Sequence, residues 1–181
     1  MIATLVHESR FIMSELFLHL AHAIAKSPAH DAAIYLLSNV PGFPPILQTI
    51  HLLSIAVVMG SIVLVDLRVL GLAARNQSST EMAARLAPWT WSALALLLIS
   101  GMVLVLARPQ RYFTNPVFGL KFLFLAPALL LSIVLYRLLR QSQFKPMPAR
   151  LIAALSLLAW VLVVLAGRWI AYADYLFVPE E

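Results

Sequence analysis

The sequence predicts an all-α integral membrane protein, a four-helix transmembrane bundle with an N-terminal amphipathic interfacial helix. Three observations predict it. Hydrophobic residues make up 62% of the 181 and charged residues only 12%, with a mean hydropathy of +0.90; soluble domains average about 45–50% apolar and 25% charged. Four apolar runs are each long enough, at about 1.5 Å per helical residue, to cross a hydrocarbon core of about 30 Å. The runs are joined by short polar or proline-marked connections, as one bundle requires.

The N-terminal part, residues 1–45, is an interfacial helix followed by a Pro-rich loop. From Glu8 to Lys26 the apolar residues Phe11, Ile12, Leu16, Leu18, Leu20 and Ile24 are interrupted by Glu15, His19 and His22. Such a stretch suits a helix lying in the headgroup region better than one that spans. Four prolines and Gly42 between Ser27 and Pro45 read as a loop, with one helical turn near Ala32–Leu37. The N-terminus lacks the basic, apolar and small-residue order of a signal peptide and is expected to stay in the mature chain.

The bundle occupies residues 46–181, with spans at about 46–72, 89–107, 117–139 and 150–173. Pro44 and Pro45 mark the start of span one. The polar segment Arg75–Arg85 reads as a loop with a short turn before Pro88. Trp89 and Trp91 place one end of span two at headgroup level, and Arg108-Pro109 stops the other. Arg137, Arg140, Lys145 and Arg150 crowd the connection between spans three and four. With the basic residues Arg68, Arg75 and Arg85 added to that side, it is expected to face the cytoplasm of a bacterial inner membrane. Both termini, including the acidic tail Glu180-Glu181, are then periplasmic.

Composition excludes several classes. The 13 Lys+Arg against 8 Asp+Glu give +5, but these bases flank apolar runs, where they meet lipid headgroups rather than nucleic acid. With no cysteine there are no disulfides, thiolate metal sites or cysteine nucleophiles. No nucleophile–base pattern, Gly-rich phosphate loop or EF-hand pattern occurs.

The ionisable residues within spans are the candidates for chemistry, because each is costly there. They are His51, Asp66, Arg68, Lys121 and Arg168. His51 and Lys121 enter their spans from the same side and reach matching depths of about 6–8 Å. An imidazole is a common haem or metal ligand, and Arg108, Arg111 and Arg168 at that end could hold haem propionates. Gly60 and Gly101 would let a flat ring, or another helix, approach closely. The plainer readings are that His51 is a hydrogen-bonded packing residue, that Lys121 snorkels to the headgroups, and that the arginines meet lipid. Asp66 and Arg68 point to different faces and are each expected to pair with an inner-end group such as Arg137 or Arg85. His19 and His22, at i,i+3, share a face with Glu15 and form a weak metal-site candidate whose plainer reading is the polar face of an interfacial helix.

Four runs carry a resemblance: Thr49–Ile55, Gly60–Gly71, Arg111–Lys121 and Ala166–Tyr172. Together they resemble an uncharacterised family of bacterial four-helix inner-membrane proteins, a domain of unknown function, over about residues 30–173. Where that pattern has Glu before Thr-Ile-His, this chain has Gln48. More distantly, span one and the Lys-bearing start of span three are similar to the haem-binding membrane protoporphyrinogen oxidase family and to CopD-type membrane domains. That similarity implies haem b, with His51 as ligand and Lys121 as second ligand or propionate partner. The expectation is therefore a haem b-binding membrane protein in electron transfer or a membrane redox step, serving another membrane protein or a periplasmic redox partner. The alternatives are a cofactor-free accessory subunit of a larger membrane complex and, less favoured, a small-solute or metal-ion transporter.

Overall fold

A computed structural model describes residues 15–74, 76–113, 115–141 and 146–176. Among them every element is helical. The segment before Glu15, the bases Arg75 and Lys145, and the tail Glu180-Glu181 lie outside the described residues. In chain order the helices are α1 (Glu15–Ala25), α2 (Pro28–Asn39), α3 (Phe43–Leu70), α4 (Ser79–Ala107), α5 (Pro109–Phe113), α6 (Pro116–Leu139) and α7 (Pro146–Leu176). Four of them, α3, α4, α6 and α7, are long and apolar enough to cross a membrane. The chain is a multi-pass membrane protein with an all-α bundle.

Three boundaries differ from the sequence expectation, each because a proline starts or tolerates a helix. The stretch expected to be a loop with one turn near Ala32–Leu37 is the full helix α2. Ser27 caps it, its Oγ accepting the His30 backbone N–H at 3.3 Å, and Pro28 occupies the first helical position, where a missing N–H costs nothing. Span one begins at Phe43 rather than Ile46, with Pro44 and Pro45 inside its first turn. It ends on Gly71 in the left-handed conformation (φ 79°), whose N–H returns to the carbonyls of Arg68 and Leu67. Span two begins at Ser79, ten residues before Trp89. The Ser78 hydroxyl accepts the Glu81 N–H, and Pro88 lies inside the helix. Trp89 and Trp91 are exposed on α4, well inside that helix rather than at its end.

α3 packs along α4, and α6 along α7, as two antiparallel pairs; α3 also packs on α7, while α4 and α6 barely meet. The order around the bundle is therefore α4, α3, α7, α6, with α3 and α6 on one diagonal. Lipid is as apolar as leucine, so close packing and small interfacial residues hold such helices together. Ala93, Ala128 and Ala159 are buried with Val58, Ile62, Trp160 and Val163 at the centre. Toward the end where α3 terminates, Ala83, Ala149 and Ala153 pack with Val65, Val69, Leu135 and Leu139. Leu98, Leu123 and Leu130 point outward. At the opposite end α2 lies against α4, and the His30 Nδ1 sits 2.7 Å from the Leu106 carbonyl oxygen. The described part of α1 is about 16 Å long by rise per residue, short of a hydrocarbon core of about 30 Å.

Candidate functional site

Two groups of polar side chains lie inside the bundle, about 22 Å apart along α3 by helical rise. The first is built on His51. The His51 Nδ1 lies 2.8 Å from the Ser100 Oγ of α4. That hydroxyl has one proton, and it donates to the Leu96 carbonyl one turn earlier at 2.6 Å. Ser100 therefore accepts from His51, which places the imidazole proton on Nδ1 and leaves the lone pair on Nε2. The next residue, Gly101, also faces the ring. A Cβ on Gly101 would stand 3.4 Å from the His51 Cε1.

Lys121 of α6, at the other end of the same diagonal, is close enough for its charge to act on His51. It too lies against a glycine: a Cβ on Gly167 of α7 would stand 3.9 Å from the Lys121 Cε. Lys121 has no carboxylate partner among the described residues. By residue count His51 is about 12 Å along α3 and Lys121 about 7.5 Å along α6. The helix starts are therefore offset; His51 leans on α4 and Lys121 on α7, with the Lys121 charge still in reach of the imidazole. Gly60 differs from Gly101, with nothing within 4 Å of the position of its Cβ.

The second group surrounds Asp66, which is 1% exposed. It was expected to pair with Arg137 or Arg85, and the structure corrects this. No ion pair to Asp66 forms among the described residues, and its Oδ2 has no hydrogen-bond partner. The reason is direction: Asp66 faces α7, within electrostatic reach of the Ser156 hydroxyl, while Arg85 and Arg137 are exposed. Arg68 donates through Nε to the Gln77 carbonyl instead of to an acid. The Trp160 Nε1 donates to the Ser132 Oγ at 2.9 Å, and Ser132 and Ser156 lie 3.4 Å apart. Either serine can donate across that contact, so Trp160, Ser132 and Ser156 form a buried polar row that ends beside Asp66. Tyr136 lies within electrostatic reach of Asp66, and its hydroxyl is 3.5 Å from the Thr90 Oγ1.

The remaining candidates are dispersed. Arg108 and Arg111 line a cleft of about 360 Å³ with His30 and Gln110, where α1, α2, α4 and α5 meet; His51 and Lys121 do not line it. Arg168 follows Gly167 and is exposed. His19 and His22 are exposed on α1. Among the described residues no three His, Asp or Glu side chains come together to hold a metal, so Glu15, His19 and His22 form no such group.

Sequence reasoning missed Ser100, Ser132, Ser156 and Trp160. A serine inside an apolar run usually bonds its own helix, as the Ser54 hydroxyl does to the Ile50 carbonyl at 2.8 Å. The available signal was the Ser100-Gly101 pair and the four-residue spacing of Ser156 and Trp160.

No curated protein and no solved structure matched the chain. A family of unknown function, DUF6644, matches residues 42–173, from the cap of α3 into α7 and across both polar groups. The chain belongs to that family.

Proposed function

We propose that this protein binds haem b in a bacterial inner membrane and takes part in electron transfer or a membrane redox step. The observation that supports this reading is the state of His51. Its Nδ1–H is committed to Ser100 and its Nε2 carries the lone pair. A haem-ligating histidine needs that arrangement, in which a hydrogen bond on one nitrogen orients the other toward the metal. Lys121 supplies positive charge or a second ligand at the same level, and the absence of side chains on Gly101 and Gly167 leaves room beside both groups. When bound, the haem would supply one-electron chemistry; the protein would contribute ligand, burial and charge.

In this proposal the termini are periplasmic, and the redox partner is another membrane protein or a periplasmic carrier. Arg168, one residue past Gly167, is the nearest candidate in sequence for a propionate partner. Arg108 and Arg111 belong to the separate cleft with His30 and are weaker candidates. Optical spectra of detergent-purified protein, oxidised and reduced, test the reading. A Soret band is expected, and it should be lost in His51→Ala. Colourless protein that co-purifies with a larger membrane complex would instead favour the accessory-subunit reading.

One observation favours a second reading, transport of a proton or small cation. Ser54, Ser61, Asp66, Ser132 and Ser156 are all buried, so polar atoms continue through the bundle between His51 and the far end. Proteoliposome flux that is lost in Asp66→Asn would support transport.

A further inference from the structure

The bundle is open on one side. Where α4 and α6 diverge, toward the end at which α3 terminates, they leave a groove of about 520 Å³. Its α4 wall begins with Ala83, Ala84 and Ala87, one helix face with nothing beyond Cβ to fill the space, before Trp91 one turn further along. Trp91 and Tyr136 also line it, and Arg137 and Arg140 stand at the last turn of α6. The two arginines are spaced i,i+3 and therefore share a face. Neither guanidinium is ion-paired among the described residues.

The chemistry of the walls selects the occupant. Small apolar residues along a membrane-embedded groove fit an acyl chain. Two unpaired guanidiniums at the last turn of α6, level with the start of α4 where the Thr80 hydroxyl donates to the Leu139 carbonyl, fit a phosphate by forked hydrogen bonds, with Trp91 deeper along the groove. A zwitterionic headgroup would set its own cation against the arginines, and a protein helix would need a carboxylate at that height. We propose that the α4–α6 groove binds one anionic phospholipid, its phosphate on Arg137 and Arg140 and one acyl chain along the Ala83–Ala87 face. The site is distinct from the His51–Lys121 group and does not depend on the haem reading.

Native mass spectrometry tests this on detergent-purified protein supplied with phosphatidylglycerol or phosphatidylcholine in equal amounts. Phosphatidylglycerol should be retained and phosphatidylcholine lost. Arg137→Gln/Arg140→Gln should lower phosphatidylglycerol retention by roughly tenfold or more, since each base near the surface strengthens anionic-lipid binding several-fold. Arg150→Gln removes a charge at the same end outside the groove and should leave retention within about twofold. Ala84→Leu/Ala87→Leu keeps both arginines but fills the groove, and should lower retention as well. Equal retention of the two lipids would overturn the proposal, as would a double arginine variant that behaves like Arg150→Gln. So would a filled-groove variant that dissociates a dimer without losing lipid, because a second copy would then cover the groove.

Discussion

The His51 Nδ1 and the Ser100 Oγ lie 2.8 Å apart across the α3–α4 contact, and the Ser100 proton is already committed to Leu96. This one contact sets the tautomer of His51 and binds two helices together. Ser100→Ala should preserve the fold, because interhelical hydrogen bonds in membranes average about 0.6 kcal/mol. It should also leave the ring free to reorient. In haem-loaded protein the expected result is a shifted reduction potential or weakened haem retention, with thermal stability in detergent nearly unchanged; a merely structural bond would move neither haem property.

The glycine beside that ring makes a second prediction. Gly101→Ala places a Cβ 3.4 Å from the His51 Cε1, an ordinary contact, and should be tolerated. Gly101→Leu adds three more carbons where the imidazole stands and should push His51 aside. The expected cost is about 1–3 kcal/mol, as for other overpacked interfaces, measured by thermal unfolding in detergent. Gly60→Leu serves as the control, since no atom lies within 4 Å of the Cβ position there.

Asp66 is buried without a counter-cation among the described residues. Asp66→Asn keeps the shape and removes an unpaired buried charge, so stability should be equal to or above that of the parent protein. Had the residue been paired with Arg137 or Arg85, breaking a buried pair would cost about 3–5 kcal/mol. Unfolding in graded SDS distinguishes the two outcomes.

Ser132→Ala should be costlier than its size suggests. It strands the Trp160 indole N–H, which donates to the Ser132 Oγ at 2.9 Å in a buried position. An unsatisfied buried donor costs about 1–3 kcal/mol. In a double-mutant cycle, adding Trp160→Phe should cost less on the Ser132→Ala background than on the parent. Strict additivity would mean that the two side chains do not interact.

Much of this architecture was legible in the sequence, because apolar run length alone determines whether a helix can cross lipid. The spans in α3, α4, α6 and α7 follow from it. The helix starts did not, since a proline in sequence reads equally as a loop, a start or a stop, whereas Pro28, Pro44 and Pro45 occupy first-turn positions and Pro88 lies within a helix held by its neighbours. The candidate site was half legible. His51 and Lys121 stand out as ionisable groups among apolar residues, and their shared end follows from counting. The partner of His51 was not legible, because a serine in an apolar run has an acceptor on its own helix and gives no sign of reaching across to another. Asp66 was misread for a related reason: charge complementarity suggests an arginine, but helix rotation decides which neighbour it meets.

The complete absence of cysteine makes topology directly measurable. Single substitutions Gln77→Cys, between α3 and α4, and Gln110→Cys, between α4 and α6, should label from opposite sides of the membrane. Ser27→Cys should label from the same side as Gln110→Cys, since the His30 ring at the start of α2 meets the Leu106 carbonyl at that end of α4.

The most direct test of the haem proposal is the reduced-minus-oxidised optical spectrum of the purified protein beside His51→Ala and His30→Ala. A Soret band and haem b α-band are expected in the parent protein, both lost in His51→Ala and kept in His30→Ala. A haem spectrum that survives His51→Ala, or none in parent protein expressed with ample haem, would contradict it.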